Sequence, residues 1–174
     1  IGSNELFLSD LHIHTKYCNH AIGDIEDYIL SGIKKGFKLL GFSEHIETAA
    51  YHRKNWLNKE ELIIYYNEGI MLRKKYEEKI KILIGIEVGL NPNDYHSTNE
   101  LIALKPWDYV GLSHHYLYSN NICLNFASTV EEEIEKIKKS GVNSLTTRYF
   151  TNLLEGIKKI SDPDGFFLAG QSDK

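Results

Sequence analysis

The residues of this sequence best able to do chemistry are histidines and carboxylates, and they fall in a regular order. Eight histidines occur, at positions 12, 14, 20, 45, 52, 96, 114 and 115. Asp10, His12 and His14 are spaced two apart. On a strand such residues leave the same side of the chain and can converge on one site. Glu44 and His45 follow one apolar run, Glu87 stands near the end of another, and His114 and His115 close a third. Neutral imidazoles with a carboxylate suit divalent Zn, Fe or Mn, whereas Mg and Ca favour oxygen ligands. A carboxylate such as Glu87 can give one oxygen to each of two ions. Two ions ~3.5–4 Å apart can hold a hydroxide and clamp a phosphoryl group during in-line displacement. An unpaired carboxylate buried at the end of an apolar strand is costly, and a metal explains Glu87 better than an accidental surface turn. The same alternation sorts the histidine pair: Ser113 and His115 share a face, so His115 is the inward ligand and His114 packs against or supports its surroundings.

Positioning these groups requires strands that end together. The apolar pattern predicts strands over residues 5–12, 37–42, 80–88, 109–113 and 166–169. The third of these is the clearest, being rich in β-branched residues. Helices are expected from Asp24 to Gly36, from Asn58 to about Glu78, over 93–104, from Thr129 to Gly141 and over 144–160. Asn58 with Glu61 reads as a helix-start signature, and 162–165 (Asp-Pro-Asp-Gly) as a turn. Strands alternating with helices imply an α/β domain with a parallel sheet, whose reactive residues collect at the strands' carboxyl ends. No internal repeat, low-complexity tract or linker is visible.

Composition bounds the rest. The chain has 174 residues, 42% hydrophobic and 25% charged, with a formal net charge of −4. That is the composition of a globular domain, and its bulk charge gives no support for nucleic-acid binding. No apolar run approaches the ~20 residues needed to cross a bilayer. No secretory signal is recognisable, and two cysteines cannot build a disulfide framework, so the expected compartment is the cytoplasm. Cys18 reads as buried packing rather than a ligand, because no second Cys-x-His pair completes a zinc knuckle.

The motifs resemble those of the polymerase and histidinol phosphatase (PHP) family. Asp10-Leu11-His12-Ile13-His14-Thr15, followed by Cys18-Asn19-His20-Ala21, is similar to its first motif, and the Cys-x-His-Ala extension to its histidinol-phosphatase branch. Gly41-Phe42-Ser43-Glu44-His45 resembles the second motif, and Gly85-Ile86-Glu87-Val88 the third. The run from Asp108 to Leu117 resembles the fourth. The resemblance implies a distorted (β/α)7 TIM-like barrel with two or three divalent transition-metal ions (Zn, Fe or Mn) at the strand ends. It also implies a metal-bound hydroxide attacking a phosphate ester. By position, His12, His14, Glu87 and His115 match the family's ligands, Glu87 and His115 serving the nucleophile-generating metals. His20 and His45 match a further metal of the histidinol-phosphatase branch, and Asp10 and Glu44 would orient the histidines.

The late motifs differ. Gln171 stands where the family has a histidine, and the family's final Asp-x-His is absent, leaving Asp173 as a candidate ligand. With five strands in view, the single domain over 1–174 is expected to lack the barrel's C-terminal strands. Arg53, flanked by His52 and Lys54, and Arg148 are candidates for the substrate phosphate, although a solvated surface charge is the better single reading of each. The function expected is hydrolysis of L-histidinol phosphate in histidine biosynthesis, with a small phosphorylated substrate as the partner and no membrane. The alternatives are a PHP phosphoesterase for another sugar or nucleotide phosphate, and a truncated or degenerate homologue that binds metal without turnover.

Overall fold

The structure is a computed structural model that describes residues 7–18, 20–48, 56–119, 122–125, 131–160 and 166–168. In chain order the elements are β1 (Ser9–Ile13), α1 (Ile25–Lys35), β2 (Leu39–Ile46), α2 (Lys59–Tyr76), β3 (Lys81–Gly89) and α3 (Tyr95–Ile102). There follow β4 (Val110–Ser113), β5 (Tyr116–Ser119), β6 (Ile122–Asn125), α4 (Glu131–Lys139), α5 (Val142–Lys159) and β7 (Phe166–Leu168). β1, β2, β3, β4 and β7 pair in that order, all parallel, in one curled sheet. β5 and β6 pair antiparallel as a separate hairpin.

Local sequence explains where the helices start and stop. At the start of α2, Asn58 Oδ1 accepts from the Glu61 N–H, and the Glu61 carboxylate accepts from the Asn58 N–H, both at 2.9 Å. This reciprocal pair satisfies two donors that the first turn would otherwise leave open. α1 ends at Gly36, whose φ of 80° is left-handed and favours a residue without a Cβ.

Alternation along the strands creates two unlike faces. Leu40 and Phe42 of β2, Ile82, Ile84, Ile86 and Val88 of β3, and Val110 and Leu112 of β4 are buried in one core. Fully burying side chains of this size stabilises by roughly 1.5–3 kcal/mol each. Helix glycines allow close approach on this side: a Cβ at Gly32 would meet Leu40, one at Gly69 would meet Ile84, and one at Gly156 would meet Leu90 and Leu112. The other face carries Ser43 and His45, Gly85 and Glu87, and Tyr109, Gly111 and Ser113. There the Tyr109 ring fills the space beside Gly41 and Gly85. Its hydroxyl lies 2.9 Å from the carbonyl oxygens of both Leu11 and Phe42, where it shares its one proton.

All five expected strands are present, with β2 running further than expected, to Ile46. The hairpin β5–β6 is an element that the sequence pattern did not indicate. Tyr65 is fully buried and donates to the Gly85 carbonyl at 2.9 Å. The expected turn at 162–165 and the helix start at Thr129 lie outside the described residues. No described helix is long and apolar enough to cross a membrane.

Candidate metal centre

The parallel register delivers the predicted groups to one place. His45 of β2 is paired with Glu87 of β3, and Glu87 with Gly111 of β4, so a glycine flanks the carboxylate on one side. In β1 the register shifts between Asp10 and Ile13: Asp10 pairs with Leu40, but Ile13 pairs with Phe42. Three steps along β1 therefore match two along β2, an irregularity of the kind that re-aims side chains beside active sites.

Four imidazoles face the single Glu87 carboxylate. His12 Nε2 lies 2.6 Å and His14 Nε2 3.2 Å from Oε2. His115 Nε2 lies 3.4 Å and His45 Nδ1 3.6 Å from Oε1. His20 joins them, its ring centroid 4.9 Å from that of His14 and 5.0 Å from that of His45. Two triads share the carboxylate, His12–His14–Glu87 and His45–Glu87–His115, each with ligand atoms within 4.8 Å of one another.

Glu87 is 1% exposed. Burial opposes its ionisation, but hydrogen bonds from His12 and His14, with His45 and His115 nearby, hold its carboxyl far below the usual range. Burial pushes His45 down to about 3 against the pull of Glu87, so its ring is neutral with a lone pair available. The hydrogen bond to Glu87 raises His12 above its ordinary value, in spite of partial burial. His45 Nδ1 is buried and makes no hydrogen bond among the described residues, although it points toward Glu87. Such an atom costs free energy unless something binds it. The nitrogen-rich set around one carboxylate fits divalent transition ions.

Glu44, fully buried, backs the site. Its Oε1 accepts from the Thr15 N–H at 2.7 Å and the Thr15 hydroxyl at 2.6 Å, and its Oε2 from the Cys18 thiol at 2.5 Å. Burial raises its carboxyl, partly offset by those bonds. Cys18 is buried as expected, but its sulfur also lies 3.4 Å from His14 Nδ1. Asp10 is exposed on β1 and accepts from the His12 backbone N–H at 3.0 Å. His114 is 3% exposed and stacks on Tyr149 of α5, in line with a packing role. His96 is a surface residue beside Glu100. Arg148 is exposed on α5, next to Tyr149. Arg53, His52, Gln171 and Asp173 lie outside the described residues.

Two neighbours carry no mark in the sequence order. Trp56 sets its ring 4.6 Å from that of His45, edge to face. Glu47, two residues beyond His45, lies over Gly89, where any Cβ would overlap its carboxylate. It places another acidic group one sheet row above Glu87. The signal that could find it is Gly89 itself, a glycine two residues after Glu87 on the same strand.

The PHP domain family matches residues 10–172. The chain belongs to the PHP family. A protein of Schizosaccharomyces pombe named "Probable histidinol-phosphatase" is 28% identical to this PHP domain over 160 residues, which cover 86% of the chain and 51% of the relative. A protein of the same name from Deinococcus radiodurans is 28% identical over 111 residues, covering 63% and 43% respectively. The chain thus spans about half the length of the curated relatives it matches. Among solved structures, histidinol phosphate phosphatase of Lactococcus lactis, complexed with Zn, L-histidinol and phosphate, superposes with a TM-score of 0.59. It is 24% identical, and the match covers 76% of this chain and 51% of that one, a likeness of fold.

Proposed function

We propose that this PHP domain carries the metal-binding face of a phosphomonoesterase whose substrate is L-histidinol phosphate, hydrolysed to L-histidinol and phosphate. The observation that carries the reading is one buried carboxylate, Glu87, shared by two histidine-containing triads at the ends of parallel strands. The names of the relatives, and the Zn, L-histidinol and phosphate held by the Lactococcus lactis enzyme, favour the substrate. The curled sheet is read as part of a (β/α)7 barrel.

His12, His14 and Glu87 would hold one ion, and His45, Glu87 and His115 a second, with His20 beside His14 and His45 for a third. Bound divalent ions would neutralise the phosphate and lower the pKa of a coordinated water toward ~7. The chain's own residues set the conditions for this. Glu87 stays ionised and His45 stays neutral, so both offer lone pairs near neutrality. Thr15 and Cys18 fix Glu44, and the Tyr109 hydroxyl ties β1 to β2 beneath the histidines. Arg148, Arg53 and Asp173 are proposed as contacts to the phosphate or the metals.

The test is phosphate release by the zinc- or manganese-loaded chain, and by a version extended along its reading frame. L-histidinol phosphate is assayed beside a panel of sugar and nucleotide phosphates. The expected result is preferential hydrolysis of L-histidinol phosphate, abolished by His12→Ala. Preferential hydrolysis of a sugar or nucleotide phosphate would overturn the substrate, and inactivity of both versions on every ester would overturn the phosphatase reading.

A further inference from the structure

The network behind His14 contains a thiol where a metal-ligating histidine usually meets a carboxylate, a carbonyl or water. Glu44 Oε2 is 4.0 Å from His14 Nδ1, too far for a hydrogen bond. Cys18 Sγ lies between them, 2.5 Å from Glu44 Oε2 and 3.4 Å from His14 Nδ1. A third contact fixes the sulfur, which accepts from the His45 backbone N–H at 3.3 Å. Thr15 occupies the other oxygen of Glu44 with two donors, so Oε2 is the oxygen that takes the thiol proton. We propose that Glu44 orients His14 through the Cys18 thiol, which makes Cys18 a positioning residue of the metal centre. The inference deepens the metal-site reading above and rests on it.

The chain of donors runs in one direction. Cys18 S–H donates to Glu44, and His14 Nδ1–H donates to the sulfur. With an ion bound, that leaves the Nε2 lone pair of His14 to the ion, on the side of Glu87, 3.2 Å away. The competing arrangement makes Cys18 itself a ligand, because His14, Cys18 and His45 also bring their ligand atoms within 4.8 Å. It would use Nδ1 of His14 and leave the proton on Nε2. The two arrangements therefore require opposite tautomers of one ring.

The deciding experiment is long-range proton–nitrogen NMR on the zinc-loaded, nitrogen-15-labelled chain, with His14 assigned by a His14→Gln variant. Zinc affinity is measured by competition with a chromophoric chelator. The wild type is expected to show the Nδ1–H tautomer. Cys18→Ala should weaken zinc binding by about 10–100-fold. Cys18→Ser, whose hydroxyl donates and accepts in the same place, should restore part of the affinity. If Cys18→Ala does not fold, the wild type and Cys18→Ser still decide. An Nε2–H tautomer in the wild type would overturn the proposal. So would unchanged zinc affinity in folded Cys18→Ala, or a thiolate-to-cobalt charge-transfer band in the cobalt-loaded wild type. Absence of zinc binding by the wild type would instead count against the proposed function.

Discussion

Acid should unfold this protein partly through His114, a residue outside the metal centre. Its ring is 3% exposed, stacks on Tyr149 at 4.9 Å and has Nε2 3.5 Å from Asn152 Nδ2. Burial, with His115 adding to it, pushes the imidazole down to about 4. An unfolded chain returns it to about 6.5, so below that pH the unfolded state binds the proton first. The contribution to stability is therefore complete above pH ~6.5 and is lost as pH falls through 6.5 toward 4. At 1.36 kcal/mol per pKa unit, the shift from about 6.5 to about 4 removes ~2 kcal/mol by pH ~5 and ~3 kcal/mol when titration is complete. The perturbation is His114→Leu, and the assay is urea unfolding of the metal-free protein by circular dichroism at pH ~7.5 and ~5. His12 and His45 titrate in both proteins, so their effects largely cancel in the difference between the two pH responses. The wild type should lose about 2 kcal/mol more than the variant over this interval. Equal losses in both proteins would refute the reasoning.

Two further outcomes follow from packing. Gly85→Ala places a methyl against the Tyr109 ring, which is held by the Leu11 and Phe42 carbonyls, and should cost about 1–3 kcal/mol in urea unfolding. Tyr109→Leu in the same background should recover part of it. Asn58→Ala removes the acceptor for the Glu61 N–H and should lower stability by about 1 kcal/mol, with Asn58→Asp close to the wild type.

Much of the site was legible because its residues sit at strand ends, where two kinds of signal coincide. An apolar run announces each strand, and a metal-capable side chain breaks the run. His12, His14, His45, Glu87 and His115 all have this form, and the alternation also separates His115 from the packed His114. The hairpin was not legible in the same way. Tyr116–Ser119 and Ile122–Asn125 are four residues each, too short for a period to emerge, and the first follows directly on the His114-His115 motif. The sulfur of Cys18 and the carboxylate of Glu47 depend on contacts between segments distant in sequence. Cys18 meets Glu44 across 26 residues, and Glu47 lies over Gly89. The lack of a second Cys-x-His pair marked Cys18 as buried packing, but only the fold shows which polar groups its thiol touches.

The central claim is that Glu87 belongs to two metal sites at once, and zinc stoichiometry tests it most directly. Protein dialysed against zinc and then against metal-free buffer is analysed by mass spectrometry for ions per folded chain, as wild type, His115→Ala and Glu87→Ala. The account predicts at least two ions in the wild type, one fewer in His115→Ala, and loss of both shared sites in Glu87→Ala. A folded Glu87→Ala protein that keeps the wild-type zinc content would contradict it.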